Sequence, residues 1–192
     1  MSSTQLVKQL RERTGAGIME CKRALEESGG DIEKSVAILR QQGLSKADKK
    51  SGRDARQGIV DTYIHTGGRI AAMVELNCET DFVARTDDFK QLARDLAMQV
   101  AAMRPAYINA DEVPADTLAA GTREYGDEKR YLQEVALLSQ TFIKDSRRTM
   151  DDLVREAIGK LGENIVVRRI ARFEVGESAS TEPAVTETAV SE

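Results

Sequence analysis

Ile70-Ala71-Ala72-Met73-Val74-Glu75-Leu76-Asn77-Cys78-Glu79-Thr80-Asp81-Phe82-Val83-Ala84-Arg85 is the stretch over which the chain changes its periodicity. Ile70, Ala72, Val74, Leu76 and Cys78 alternate with Arg69, Ala71, Met73, Glu75 and Asn77, a period of two that sends successive side chains to opposite faces of a strand. Upstream, Val60, Thr62 and Ile64 alternate with Asp61, Tyr63 and His65, and Thr66-Gly67-Gly68 separates the two runs. This predicts an antiparallel hairpin with a glycine-containing turn. Downstream, Phe89, Leu92, Ala93, Leu96, Val100 and Met103 recur at helical spacing from Asp87 until Pro105, which cannot continue a helix. The segment Asn77–Arg85 therefore falls where the strand has run out and the helix has not begun. Phe82 beside Asp81 on such a polar connection reads as a group that inserts into a partner. A helix-leading turn whose ring folds back on the sheet edge fits the same spacing.

Working outward toward the N-terminus, Leu6, Val7 and Leu10, then Ile18, Cys21 and Leu25, then Ile32, Val36 and Leu39 recur at helical spacing. Thr14-Gly15-Ala16-Gly17 and Ser28-Gly29-Gly30-Asp31 separate them. Asp31 is the expected N-cap of the third helix and Gly43 its expected C′ residue. Helices this short do not persist alone in water, so only mutual packing of the apolar stripes holds them. Residues 1–43 are expected to form a miniature three-helix module similar to ubiquitin-associated domains. Residues 44–57 carry Lys46, Lys49, Lys50, Arg53 and Arg56 against Asp48 and Asp54 and read as a basic linker. A nucleic-acid contact would use such cations, but so does a solvated connection.

Toward the C-terminus, Ala106–Gly126 has mixed polarity and Pro114, and a further helix or two is expected from Asp127 through Phe142. Thr149 with Asp152 resembles a capping box for a helix bearing Leu153, Val154, Ala157, Ile158 and Leu161, closed by Gly162. Ile165, Val167, Ala171, Phe173 and Val175 then alternate with charged residues as a strand beside the hairpin. Residues 58–175 are thus expected to be a core of α+β class, an antiparallel sheet packed with helices.

The 192 residues, 41% hydrophobic and 31% charged, suffice for one ordinary core and a small satellite module. Aromatic content of 4% with no Trp argues against a stacking platform for single-stranded nucleic acid. The net charge is −4, and from Gly176 onward Glu177, Glu182, Glu187 and Glu192 stand with no Lys or Arg. Setting those four aside leaves 28 acids against 28 basic residues, so the body is charge-balanced. Residues 176–192, rich in Ser, Thr, Ala and Glu, lack apolar density to offset their ordering entropy and are expected to be a disordered acidic tail. The two cysteines form no CxxC pair. There is no charged-then-apolar export pattern and no apolar run near the roughly 18 residues of a membrane span, and no transit peptide is expected. A cytoplasmic protein with reduced thiols is expected, with no cofactor and no metal.

His65 is the only histidine, so an enzyme reading begins there. Cys78 on the paired strand completes an imaginable Cys-His nucleophile, but it shares the stripe of Ile70, Ala72, Val74 and Leu76, the expected core face, where a thiol is inert. Gly15-Ala16-Gly17 follows no strand, and GxxxxGK[ST] is absent. In Arg168-Arg169-Ile170-Ala171-Arg172 strand alternation groups Arg168 with Arg172 and sets Arg169 opposite, which favours salt pairing over a phosphate patch. For Ile18 and Met19, packing competes with docking. Cys21 and Leu25 already supply an inward stripe, so at least one of the pair should face outward, rimmed by Lys22 and Arg23.

Asn77–Arg85 closely resembles a signature of the elongation factor Ts family. Leu10-Arg11-Glu12-Arg13-Thr14-Gly15-Ala16-Gly17-Ile18-Met19-Glu20-Cys21-Lys22-Arg23-Ala24-Leu25 resembles a second. Gly30–Glu33, Leu137–Asp145 and Gly162–Arg169 agree in the same order, so the likeness covers Leu6 to Glu177. Thr141 stands where the family often has Pro, and Arg85 where some members have Lys. The resemblance implies a nucleotide exchange factor for elongation factor Tu, binding it GDP-bound and nucleotide-free, with no covalent chemistry of its own and no direct nucleic-acid contact. It assigns Thr80, Asp81, Phe82 and Val83 to insertion near the partner's Mg²⁺, with Thr80 and Val83 fixing the turn and GTP displacing the factor; docking through Ile18, Met19, Lys22 and Arg23 stays a reading of the residue pattern. Long members carry two sheet-bearing halves, whereas one is found here, which implies a short form acting as a homodimer on two Tu molecules. A protein-interaction adaptor without effect on nucleotides is the alternative.

Overall fold

The computed structural model of the chain describes residues 2–177. In chain order its elements are α1 (Ser3–Thr14), α2 (Ile18–Glu27), α3 (Ile32–Asp48), β1 (Gln57–Ile64), β2 (Ile70–Cys78), α4 (Asp81–Ala84), α5 (Asp87–Met103), α6 (Ala115–Tyr125), α7 (Glu128–Val135), β3 (Thr141–Phe142), β4 (Asp145–Thr149), α8 (Met150–Leu161) and β5 (Ile165–Glu174). They divide into two compact units, one comprising the residues up to Arg53 with Arg155–Asn164, the other Asp54–Val154 with the residues from Ile165 onward. Residues 178–192, where most of the acidic tail falls, lie outside the described residues.

In the first unit, reciprocal bonds between Ser2 and Gln5 cap α1, and the Asp31 carboxylate accepts from the Lys34 N–H at 3.0 Å to start α3. These caps satisfy amide groups that have no intrahelical partner. Leu10, Cys21, Ala24, Leu25 and Leu39 form the buried core, with Leu6, Val7, Ile32 and Val36 packed against it. The expected end of the third helix at Gly43 is corrected, because α3 runs on to Asp48 and Ala47 is buried. Gly43 serves as a close-approach site instead. A Cβ on Gly159 of α8 would stand 2.9 Å from the Gly43 Cα, so the two backbones meet where neither has a side chain. The connection expected over residues 44–57 is therefore shorter at both ends, helical through Asp48 and strand from Gln57. Along α8, Arg155 pairs with Asp48 and Glu156 with Arg40, which ties this stretch to α3.

The second unit is of α+β class. Its sheet is antiparallel in the order β1-β2-β5, and α5 packs across β1 and β2. Val74, Leu76 and Cys78 of β2 and Phe89, Leu96 and Val100 of α5 are all buried where the two elements pack together. β2 carries its core face as its alternation predicts. β1 does not bury its apolar stripe: pairing Val74 with Asp61 and Ala71 with Ile64 leaves Val60 and Ile64 exposed on the other face.

A register shift opposite Glu75 and Leu76 corrects the reading of β5. Leu76 pairs with Val167 and Glu75 with Arg169, so Arg168 is an extra residue and the parity of the strand inverts there. Ile165, Val167 and Ile170 are buried, whereas Phe173 and Val175 are exposed. Arg168 and Arg172 are accordingly not grouped by simple alternation. Arg172 donates to the Ala101 carbonyl at 3.1 Å and to Glu174, and Arg169 pairs with Glu75 at 2.6 Å. Arg169 and Arg172 are ion-paired, as the salt-pairing reading expects.

Helix α7 ends at Val135 and a short 3-10 turn over Leu137–Ser139 follows, so the expectation of a further helix or two holds to Ser139 and fails only at β3. Buried Gln99 and Gln140 take over the backbone groups there. Gln99 donates to the Thr141 carbonyl at 3.1 Å and accepts from the Ile143 N–H at 3.0 Å, while Gln140 donates to the Glu134 carbonyl. The chain then forms the small β3–β4 hairpin. Met103, placed on the α5 stripe, is exposed at the last turn. The Thr149–Asp152 capping box forms as expected, with reciprocal bonds of 3.0 and 3.1 Å.

Candidate partner-binding tip

The connection after β2 is built from its base. Cys78 is fully buried between its strand partners Gln57 and Ile165, and its thiol donates to the Thr80 carbonyl at 3.1 Å. Thr80 is the N-cap of α4, accepting from the Val83 N–H through its hydroxyl oxygen. On this single turn Val83 and Ala84 point inward and are buried, while Phe82 is 78% exposed. Asp81 is half-buried and pairs with Arg85 one turn on at 2.6 Å. The arrangement holds an aromatic ring and a carboxylate outward on an anchored turn. Val83 is thereby an anchor of the tip, and the ring of Phe82 does not fold back on the sheet edge.

In the first unit, Gly17 caps α2 and Glu20 accepts from the Gly17 N–H at 3.2 Å. A hydrogen bond from Lys46 holds the Glu20 carboxyl below the usual carboxylate range. Cys21, Ala24 and Leu25 face the core, so Ile18 and Met19 both face solvent, 57% and 65% exposed, with exposed Lys22 and Arg23 on the following turn. This is an apolar pair with a basic rim.

The Cys-His pairing is overturned. His65 is exposed at one end of the hairpin, beside the Tyr63 hydroxyl at 3.3 Å. Cys78 is buried at the other end, opposite Gln57, roughly 26 Å away at ~3.3 Å per strand residue over eight residues. Burial also pushes the other thiol, Cys21, up from its ordinary pKa. Among the described residues no group of His, Cys, Asp and Glu is arranged to hold a metal ion. Neither the Thr80–Val83 tip nor Ile18, Met19, Lys22, Arg23, His65 or Cys78 lines the open depression of about 710 Å³ beside Asn109, Asp127 and Thr149. No helix among the described residues is long and apolar enough to cross a membrane.

Sequence reasoning missed one surface. Ile64, Ala71 and Phe173 stand in register across the sheet, with Met73 and Ala171 in the next row. Phe173 is 69% and Ile64 64% exposed, so this face of the sheet is an apolar patch. The signal was present in Val60 and Ile64, but a face cannot be assigned from one strand's alternation.

The second unit thus presents an exposed Phe-Asp turn on a buried anchor, and the first an exposed apolar pair on a small helical module. The profile of the family described as Elongation factor TS matches residues 41–177. The chain is 50% identical to Elongation factor Ts of Carboxydothermus hydrogenoformans, over 92% of this chain and 90% of that protein. It is 51% identical to Elongation factor Ts of Syntrophomonas wolfei, over 95% and 94% of the two chains. With Elongation factor Ts of Thermotoga petrophila the identity is 47%, over 91% and 96%. The chain belongs to the elongation factor Ts family. Its role is nucleotide exchange on elongation factor Tu during translation elongation.

Proposed function

We propose that the tip at Thr80–Val83 carries the exchange activity, with Phe82 wedging between packed groups of elongation factor Tu near its Mg²⁺ and Asp81 disturbing the metal's water and phosphate surroundings. The observation that carries this reading is the 78% exposure of Phe82 on a turn whose other side is buried. A GTPase holds GDP through backbone amides around the phosphates and through Mg²⁺, so disturbing that region weakens nucleotide binding. Coupling is reciprocal: a factor that lowers nucleotide affinity is itself bound more weakly when nucleotide is present, so GTP displaces it. Speeding GDP release by about 10⁴ requires lowering the barrier by about 5.5 kcal/mol, within the range of an inserted aromatic anchor with supporting contacts. No acid, base or cofactor is needed, and nucleic acid takes no direct part.

The three-helix module, which resembles a ubiquitin-associated domain in size and helix order, docks on Tu through Ile18 and Met19 with Lys22 and Arg23 at the rim. The protein acts in the cytoplasm as a homodimer. The exposed apolar sheet face supports a second copy as its cover, because stacking two such faces removes both from water.

The test is release of labelled GDP from Tu. Phe82→Ala is expected to lower the maximal stimulation far more than binding to nucleotide-free Tu, and to cost less than about 1 kcal/mol of stability, as for a surface change. A variant that unfolds readily yet exchanges normally while folded would falsify the wedge. The advantage of wild type over Asp81→Ala should shrink once a chelator has removed Mg²⁺. A wild-type chain that binds Tu but leaves GDP release unchanged would instead be an adaptor.

A further inference from the structure

We propose that Thr86 is a positioning residue for exchange, the pin that sets the rotation of the Phe82 turn. This rests on the reading of the tip given above. Only Arg85 and Thr86 separate α4 from α5, and Thr86 bonds to both helices at once. Its hydroxyl donates to the Val83 carbonyl at 2.8 Å, and its N–H donates to the same oxygen at 3.0 Å. The same hydroxyl oxygen accepts from the Phe89 N–H at 3.3 Å as the N-cap of α5. A hydroxyl fills both roles because it is donor and acceptor together.

The consequence is mechanical. Phe89 is fully buried, so the α5 end of this bridge is fixed in the core. The α4 end is a single turn, too short to hold its own orientation. On such a turn, successive side chains differ by about 100° in direction. A rotation of that size would carry Phe82 toward the protein and buried Val83 toward solvent. Thr80 fixes the start of the turn, and Thr86 fixes its end to the rigid helix. An inserted group acts only when held close to its productive geometry, so loosening the pin should weaken the action on the nucleotide before it weakens association.

The full-length chain tests this with Thr86→Val, which keeps the shape and loses both hydroxyl bonds, Thr86→Ala, which loses them without β-branching, and Thr86→Ser, which keeps them. Each is assayed below its melting midpoint, beside Phe82→Ala. Thr86→Val and Thr86→Ala are expected to lower maximal GDP release by about 5-fold or more, with affinity for nucleotide-free Tu within about twofold, and Thr86→Ser to restore most of the rate. Variants that melt lower but release GDP at the wild-type rate would reduce Thr86 to a helix cap and overturn the inference, as would a Thr86→Ser as deficient as Thr86→Val. If Phe82→Ala itself exchanges normally, the tip reading fails. If it is deficient while Thr86→Val and Thr86→Ala are not, only the pin fails.

Discussion

Gly43 and Gly159 face one another so closely that a methyl group on Gly159 would stand 2.9 Å from the Gly43 Cα and 3.2 Å from its carbonyl oxygen. Both lie inside helices, where glycine is costly by intrinsic propensity. The contact accounts for the glycine at 159, whereas a Cβ on Gly43 would meet nothing within 4 Å.

Two effects of opposite sign meet in Gly159→Ala. Helix propensity alone would stabilise the variant by about 1 kcal/mol. Forcing a methyl group onto backbone that cannot swing aside costs about 1–3 kcal/mol. The steric effect should win, giving a lower melting temperature by circular dichroism, and an unchanged or raised melting temperature would show that the helices separate freely.

The docking reading for the helical module concerns affinity. Ile18→Glu and Met19→Glu should raise the concentration needed for half-maximal GDP release by about 10-fold, as for loss of an apolar anchor. The maximal rate should hold, and stability should move by less than about 0.5 kcal/mol because both side chains are already in water. A loss of maximal rate would place these residues in the exchange step itself.

The sheet face predicts assembly. The chain should sediment as a dimer of about 42 kDa, twice its 21.1 kDa. Phe173→Glu, which puts a charge at the β5 end of the apolar rows, should yield a monomer that remains folded. A wild-type monomer with full exchange activity would remove the dimer from the mechanism.

Acid should find a local weak point in the β3–β4 hairpin. Hydrogen bonds from Arg147, with the charge of Arg148 adding to them, hold the Asp145 carboxyl down to about 2 from its ordinary 3.8. A carboxyl depressed in the folded state stabilises fully above its unfolded value, and that contribution is lost as pH falls from 3.8 toward 2. Asp145→Asn should therefore melt lower than wild type near neutral pH, and the two should converge as pH approaches 2. A constant gap across that range would assign the difference to something other than this carboxylate.

Local pattern was enough to read the α+β class, the helical module, the hairpin, the long helix α5 and the tip after β2. The period of two from Ile70 to Cys78, the helical stripe from Phe89 and the caps at Asp31 and Thr149 are each set by residues a few positions apart. Family membership was legible for the same reason, since its signatures are short and continuous. What the tertiary structure decided depends on groups far apart in the chain. Glycine often stops a helix, and only the presence of Gly159 opposite makes Gly43 a point of close backbone approach. Arg168 inverted the faces of β5 because its partner strand offers one residue too few, a fact absent from either strand alone. Gln99 and Gln140 bond from within the core to backbone groups of Glu134, Thr141 and Ile143, where the helical reading gives way to strand. Phe82 was equally compatible with folding back or facing out until Val83 and Ala84, adjacent on the same turn, occupied the inward direction. Periodicity reports which residues share a face, and only long-range pairing determines what that face meets.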